Sequence, residues 1–201
     1  MEKGPVVCLV HGLWMTGLEM YLLKKRLVRA GLHCVNFSYQ STSKDVGENA
    51  KRLAGFLAEK GIGQPFFVCH SYGGLVVCRY LSGYCPGPGI KVVFLGTPIN
   101  GASLAKRLGD MRLVQMITGK SLPALKKGCG PGAGGIHFAM IAGSVNIGLG
   151  MFFLKGKADG MVAVADTVAP WLEKHSVVRC SHLFLLFSKK ASRLCIEFLG
   201  Q

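Results

Sequence analysis

The sequence predicts an α/β protein built on a mostly parallel sheet of about six strands with helices on both faces. Short apolar runs alternate along it with segments of helical period, the order a doubly wound sheet requires. Half of the residues are hydrophobic and only 17% are charged, which supplies strands buried on both faces and excludes a disordered chain. A length of 201 residues suits one core, so residues 1–201 are expected to form a single domain.

In chain order, the expected strands are Val6–Val10, His33–Ser38, Pro65–Cys69, Lys91–Leu95, His137–Ala142 and Val177–Cys180. Between them, Leu18–Arg29, Asp45–Lys60, Gly73–Ser82 and Ser103–Thr118 carry helical spacing, and Leu183–Leu199 reads as a closing helix. Two stretches interrupt the alternation: Gly119 to Gly135, rich in Gly and Lys, and Ser144 to Ala158, which holds the apolar run Leu149 to Leu154. Long connections in a compact domain are commonly functional, so both are candidate walls of a substrate pocket.

Composition narrows the function classes. The eight cysteines include no C-x-x-C pair, and Cys8, Cys69, Cys78 and Cys195 lie inside apolar segments, so buried thiols are expected and a metal site is not. No apolar stretch reaches the roughly 18–20 residues of a spanning helix. Because the first strand begins at Val6, with no basic region and long apolar core before it, a cytoplasmic location is expected, a secreted mature form being the alternative. The net charge of +14 points to an anionic partner or surface. The bases lack interleaved stacking aromatics and any nucleic-acid motif, so nucleic acid is not the expected partner.

The segment Gln64 to Val77 carries the most chemistry: an apolar strand meets an amphipathic helix, and Ser71 sits at the corner in His70-Ser71-Tyr72-Gly73-Gly74. A serine at a sharp strand-to-helix turn, with small residues two before and two after, is the setting of an exposed nucleophile. Gly73 fills the second small position; Cys69 fills the first, where glycine is usual. The competing reading makes Ser71 a helix cap without chemistry. Upstream, Leu9-Val10-His11-Gly12-Leu13-Trp14 ends the first strand in a turn whose N–H groups point off the sheet. The backbone amides of Leu13 and Tyr72 are therefore the expected oxyanion donors, with His11, Gly12 and Trp14 beside the substrate and His11 in a structural hydrogen-bonding role.

A base must be one of six histidines, and only His182 follows the last expected strand, where strand ends converge on the crevice. The acid is sought among four aspartates: Asp159, in the turn Asp159-Gly160-Met161-Val162, is expected, and Asp166 is the alternative. The order Ser71, Asp159, His182 matches that of the fold. Gly130-x-Gly132-x-x-Gly135 precedes a strand instead of following one, and Gly119-Lys120-Ser121 lacks the first glycine of a P-loop, so neither predicts a nucleotide site.

These motifs together resemble the α/β-hydrolase superfamily, and within it the compact, cap-poor bacterial lipases and esterases. The carriers are His11-Gly12, His70-Ser71-Tyr72-Gly73-Gly74, Gly96-Thr97-Pro98 with Gly101 and Ser103, Asp159-Gly160-Met161-Val162, and Ser181-His182-Leu183 continuing to Ser188. The resemblance implies a Ser-His-Asp hydrolase of lipid or other small esters that forms a covalent acyl-enzyme and needs no metal or cofactor. Thioester or amide cleavage, acyl transfer, and a non-catalytic basic binding protein are the alternatives. Finally, Met151-Phe152-Phe153-Leu154, flanked by Lys155 and Lys157, has two readings, folded over the sheet beneath a solubilising charge excess or placed at the pocket mouth facing an anionic membrane, whereas Leu183-Phe184-Leu185-Leu186 is expected in the core.

Overall fold

A computed structural model describes residues 5–84, 87–132, 134–148 and 150–201. Six strands, β1 (Val6–Val10), β2 (His33–Phe37), β3 (Phe66–His70), β4 (Ile90–Leu95), β5 (Ile136–Gly143) and β6 (Lys174–Val178), form one sheet in the order β2-β1-β3-β4-β5-β6. Every pairing is parallel. The central strands are near-continuous apolar runs because helices cover both of their faces.

One face is covered by α2 (Val46–Glu59) and α3 (Tyr72–Tyr84), whose Leu53, Leu57, Leu75 and Val76 pack on Cys8, Val10, Phe67 and Cys69. The other carries α1 (Tyr21–Arg29) and the C-terminal α8 (Lys189–Leu199), whose Leu23, Leu27, Cys195 and Phe198 pack on Val7, Leu9, Val68 and Val93. Helix α2 starts at a complete capping box: Asp45 accepts from the Glu48 amide and Glu48 accepts from the Asp45 amide. The chain reverses its direction of travel across the sheet between β1 and β3. Their carboxyl ends thus border the crevice in which α/β sheets bind ligands.

Three expected elements are corrected. Ser103–Thr118 is two short helices, α4 (Ser103–Leu108) and α5 (Arg112–Thr118), because the chain turns at Gly109 and Met111 is extended. Leu183–Leu199 is likewise a 3₁₀ turn, Leu183–Leu186, followed by α8, with Ser188 as the cap that separates them. The last strand lies earlier than Val177–Cys180: it is an edge strand of polar sequence, Lys-His-Ser-Val-Val, and His175 lies within it. The two interrupting stretches are partly helical, holding α6 (Leu122–Lys127) and α7 (Gly150–Phe153). Leu149 lies outside the described residues.

Candidate active site

Ser71 is the one residue between β3 and α3, so the chain must change direction within it. Its φ is 51°, in the left-handed region that a residue with a Cβ seldom adopts. The turn holds because Ser71 N donates to Leu95 O at 2.9 Å, while Thr97 Oγ1 donates to Ser71 O at 2.9 Å. It also needs Gly73, where a Cβ would fall on the carbonyl oxygens of Val10 and His11. Cys69 is accommodated because its side chain lies wholly in the core with Cys8 and Tyr72. Ser71 Oγ makes no hydrogen bond among the described residues, so it is not spent as a cap on α3.

The facing loop is equally constrained. Trp14, with φ of 59°, is the only other non-glycine residue of positive φ among those described. Trp14 N donates to Ser41 Oγ at 3.1 Å, and Tyr39 OH donates to His11 O at 2.8 Å. His11 Nε2 accepts from Tyr39 N at 3.2 Å, which leaves Nδ1 as the protonated nitrogen, donating to Gly12 O at 2.9 Å. Burial lowers the His11 pKa, consistent with this neutral form. Tyr72 N is in the first turn of α3, where a helix offers it no acceptor, and Leu13 N has none among the described residues.

His182 follows β6 and begins the 3₁₀ turn. Its Nδ1 lies 2.7 Å from Asp159 Oδ2, and its amide donates to the Asp159 backbone carbonyl at 2.8 Å, so Asp159 fixes the ring through its carboxylate and the backbone through its carbonyl. Asp159 is almost fully buried, and its other oxygen accepts from Met161 N at 3.0 Å and Val162 N at 2.8 Å. That tight turn is what presents the carboxylate. Gly96, with φ of 61°, leaves room for the imidazole: a Cβ there would stand 3.1 Å from His182 Cε1. No hydrogen bond joins Ser71 Oγ to His182 in this structure, yet both line one cavity of about 300 Å³. Its remaining lining is almost entirely apolar, including Leu13, Trp14, Leu104, Val114, Leu125 and Met161.

The structure redistributes three other expectations. Trp14 does line the cavity, but His11 and Gly12 do not: both are buried behind the loop, so they shape it without facing a substrate. Asp166 makes no hydrogen bond to His182, whose Nδ1 pairs with Asp159. It accepts from Ser103 N at 2.8 Å and Ser103 Oγ at 2.6 Å, anchoring the start of α4. His70, placed by its motif beside the candidate nucleophile, has a partner the motif does not show. Its Nε2 donates to His182 O at 3.1 Å, and the two rings stand 4.8 Å apart. Burial, with His182 as the second cause, pushes its pKa down to about 3, so it braces the histidine loop as a neutral donor. No local signal reveals this, because the acceptor lies 112 residues away.

The chain matches the model of the alpha/beta hydrolase family over residues 6–188, and it belongs to that family. Among solved structures it is similar to the mature lipase BlEst2 of Bacillus licheniformis, with TM-score 0.83 and 19% identity, over 99% of this chain and 93% of that one. A metagenomic carboxyl esterase follows, with TM-score 0.74 and 18% identity, over 100% and 71%. The monoacylglycerol lipase of Paleococcus ferrophilus gives TM-score 0.66 and 17% identity, over 98% and 94%. At such identities the likeness is one of fold. No curated protein sequence matches the chain.

Proposed function

We propose that this protein is a serine hydrolase of carboxylic esters, with Ser71 as nucleophile, His182 as general base and Asp159 as the acid that orients it. The reading is carried by one observation: an unengaged hydroxyl, held at positive φ, shares an apolar cavity with a histidine bonded to a buried carboxylate. His182 Nε2 takes the Ser71 proton as Oγ attacks the acyl carbonyl. Asp159 keeps the proton on Nδ1 and stabilises the imidazolium. The Leu13 and Tyr72 amides receive the developing oxyanion, each contributing about 3–4 kcal/mol to the transition state. His182 then protonates the leaving alcohol, and water hydrolyses the acyl-enzyme through the same base.

The apolar lining favours an acyl chain over a polar one. A panel of p-nitrophenyl esters of graded length tests this reading. The expected result is that kcat/KM rises up to about fourfold per added methylene, from roughly 0.8 kcal/mol each. The rise should cease where the chain outgrows the cavity, and Ser71→Ala should abolish turnover throughout. Turnover that survives Ser71→Ala, or a preference for thioesters or amides over every ester, would overturn it.

A further inference from the structure

Among the described residues, the large apolar side chains left exposed are not scattered. All but Val28, Tyr84, Val168 and Val177 belong to the segments that follow the carboxyl ends of β1, β4, β5 and β6, where the cavity opens. Helix α5 is the plainest case. Val114 turns into the cavity, while Leu113 and Met116 are 60% and 72% exposed. On the segments after β5 and β6, Phe152 on α7 is 80% exposed and Phe184 on the 3₁₀ turn is 61% exposed. Phe153 and Leu154, by contrast, fold inward with Leu104, Leu108 and Met161, which fixes α7 on α4. The two readings of Met151–Leu154 are thereby divided, since half of it is exposed, and the expectation for Leu183–Leu186 is corrected, since Leu183 and Phe184 join the rim instead of the core.

Around α5 and α7 the charge on this face is mainly positive, whereas Glu19, in the segment after β1, accepts from the Thr16 and Gly17 amides. From Asp110 to Asp159 the sequence holds no intervening carboxylate side chain but six bases. Of these, Lys126 is paired with Asp110 and Lys120 with Glu48, whereas Arg112, Lys155 and Lys157 are exposed and have no carboxylate partner among the described residues. They lie on or directly after the helices that carry the exposed Leu113, Met116 and Phe152.

We infer that this rim is a docking surface for an anionic lipid membrane, onto which the cavity mouth is pressed. Apolar side chains ringed by unpaired bases fit the boundary between acyl chains and acidic headgroups. Neither a soluble anion nor a water-exposed face accounts for the apolar half of the arrangement. Docking is independent of hydrolysis, so it is measured on Ser71→Ala protein, and its failure would leave the hydrolase reading standing.

The experiment is co-sedimentation with vesicles of phosphatidylcholine alone or mixed with phosphatidylglycerol. Binding is expected to the mixed vesicles only and should weaken as salt screens the headgroups. Met116→Ser, Phe152→Ser and Phe184→Ser should each lower partitioning by roughly fivefold to tenfold. Removing Arg112 or Lys155 charge as Gln should lower it about fivefold. Val28→Ser, a comparably exposed control off this face, should change nothing, and the same rim and control substitutions made with Ser71 intact should leave hydrolysis of a short soluble ester at the parent rate. Equal binding to both vesicles, absence of binding, or indifference to the three rim substitutions would overturn the proposal. So would a concentration-dependent dimer that Met116→Ser disperses, since a second copy would then cover the rim.

Discussion

At the scale of single residues, two aspartates are held in such different ways that one substitution type separates them. Asp159 spends one oxygen on the amides of its own turn and the other on His182 Nδ1. Asn in its place can present an amide N–H to that nitrogen and force the wrong tautomer, so Asp159→Asn should lower kcat by about 10³–10⁴-fold. Asp166→Asn loosens only the start of α4. It should cost about 1 kcal/mol of stability with kcat within a few fold of the parent. Steady-state kinetics with urea unfolding distinguish the two; the reverse ranking would transfer the acid's role to Asp166. His70 gives a pH dependence. Its folded pKa, about 3, lies below the ordinary 6.5, so between those values the unfolded chain binds the extra proton. Its stabilising contribution is complete above about pH 6.5 and is lost as pH falls toward 3, at a slope of up to about 1.4 kcal/mol per pH unit. Urea midpoints measured down this range should fall, and fall less steeply in His70→Gln, with His11 acting in the same sense in both.

At the scale of elements, the strands buried on two faces were legible because nothing but an apolar run can occupy such a position, and β1 begins and ends where the sequence puts it. The edge strand β6 was placed late because its outer half, Lys174 to Ser176, is wetted and carries no apolar signature. Helical periodicity ran through Gly109 and Phe187 because the residues on either side keep their phase while the backbone turns. The candidate residues Ser71, Asp159 and His182 are singled out by local motifs, each of which the fold brings to the strand ends. What could not be read was contact across the cavity: Trp14 Nε1 donates to Ile117 O at 2.7 Å, tying the loop after β1 to α5. This bond holds α5 over the mouth. Trp14→Phe keeps the ring and removes the donor, so KM for long acyl esters should rise severalfold while acetyl ester turnover changes little. An equal change for all chain lengths would show that α5 does not wall the acyl path.

At the scale of the whole molecule, the sheet's all-parallel order gathers every chemically distinctive feature on one edge. Strained Ser71 and Trp14, the His182–Asp159 pair, the apolar cavity and the exposed apolar rim all follow strand carboxyl ends. The opposite edge carries the short turns that enter the strands. No described helix is long and apolar enough to cross a membrane. The central claim is that Ser71 is an activated nucleophile, and a fluorophosphonate reads it directly by capturing only such a hydroxyl. Peptide mass spectrometry after brief labelling should place the phosphonyl adduct on Ser71 alone, at one per chain. Labelling should vanish in Ser71→Ala and slow by orders of magnitude when His182 becomes Ala. An unlabelled folded protein, or an adduct on any other residue, would contradict the account.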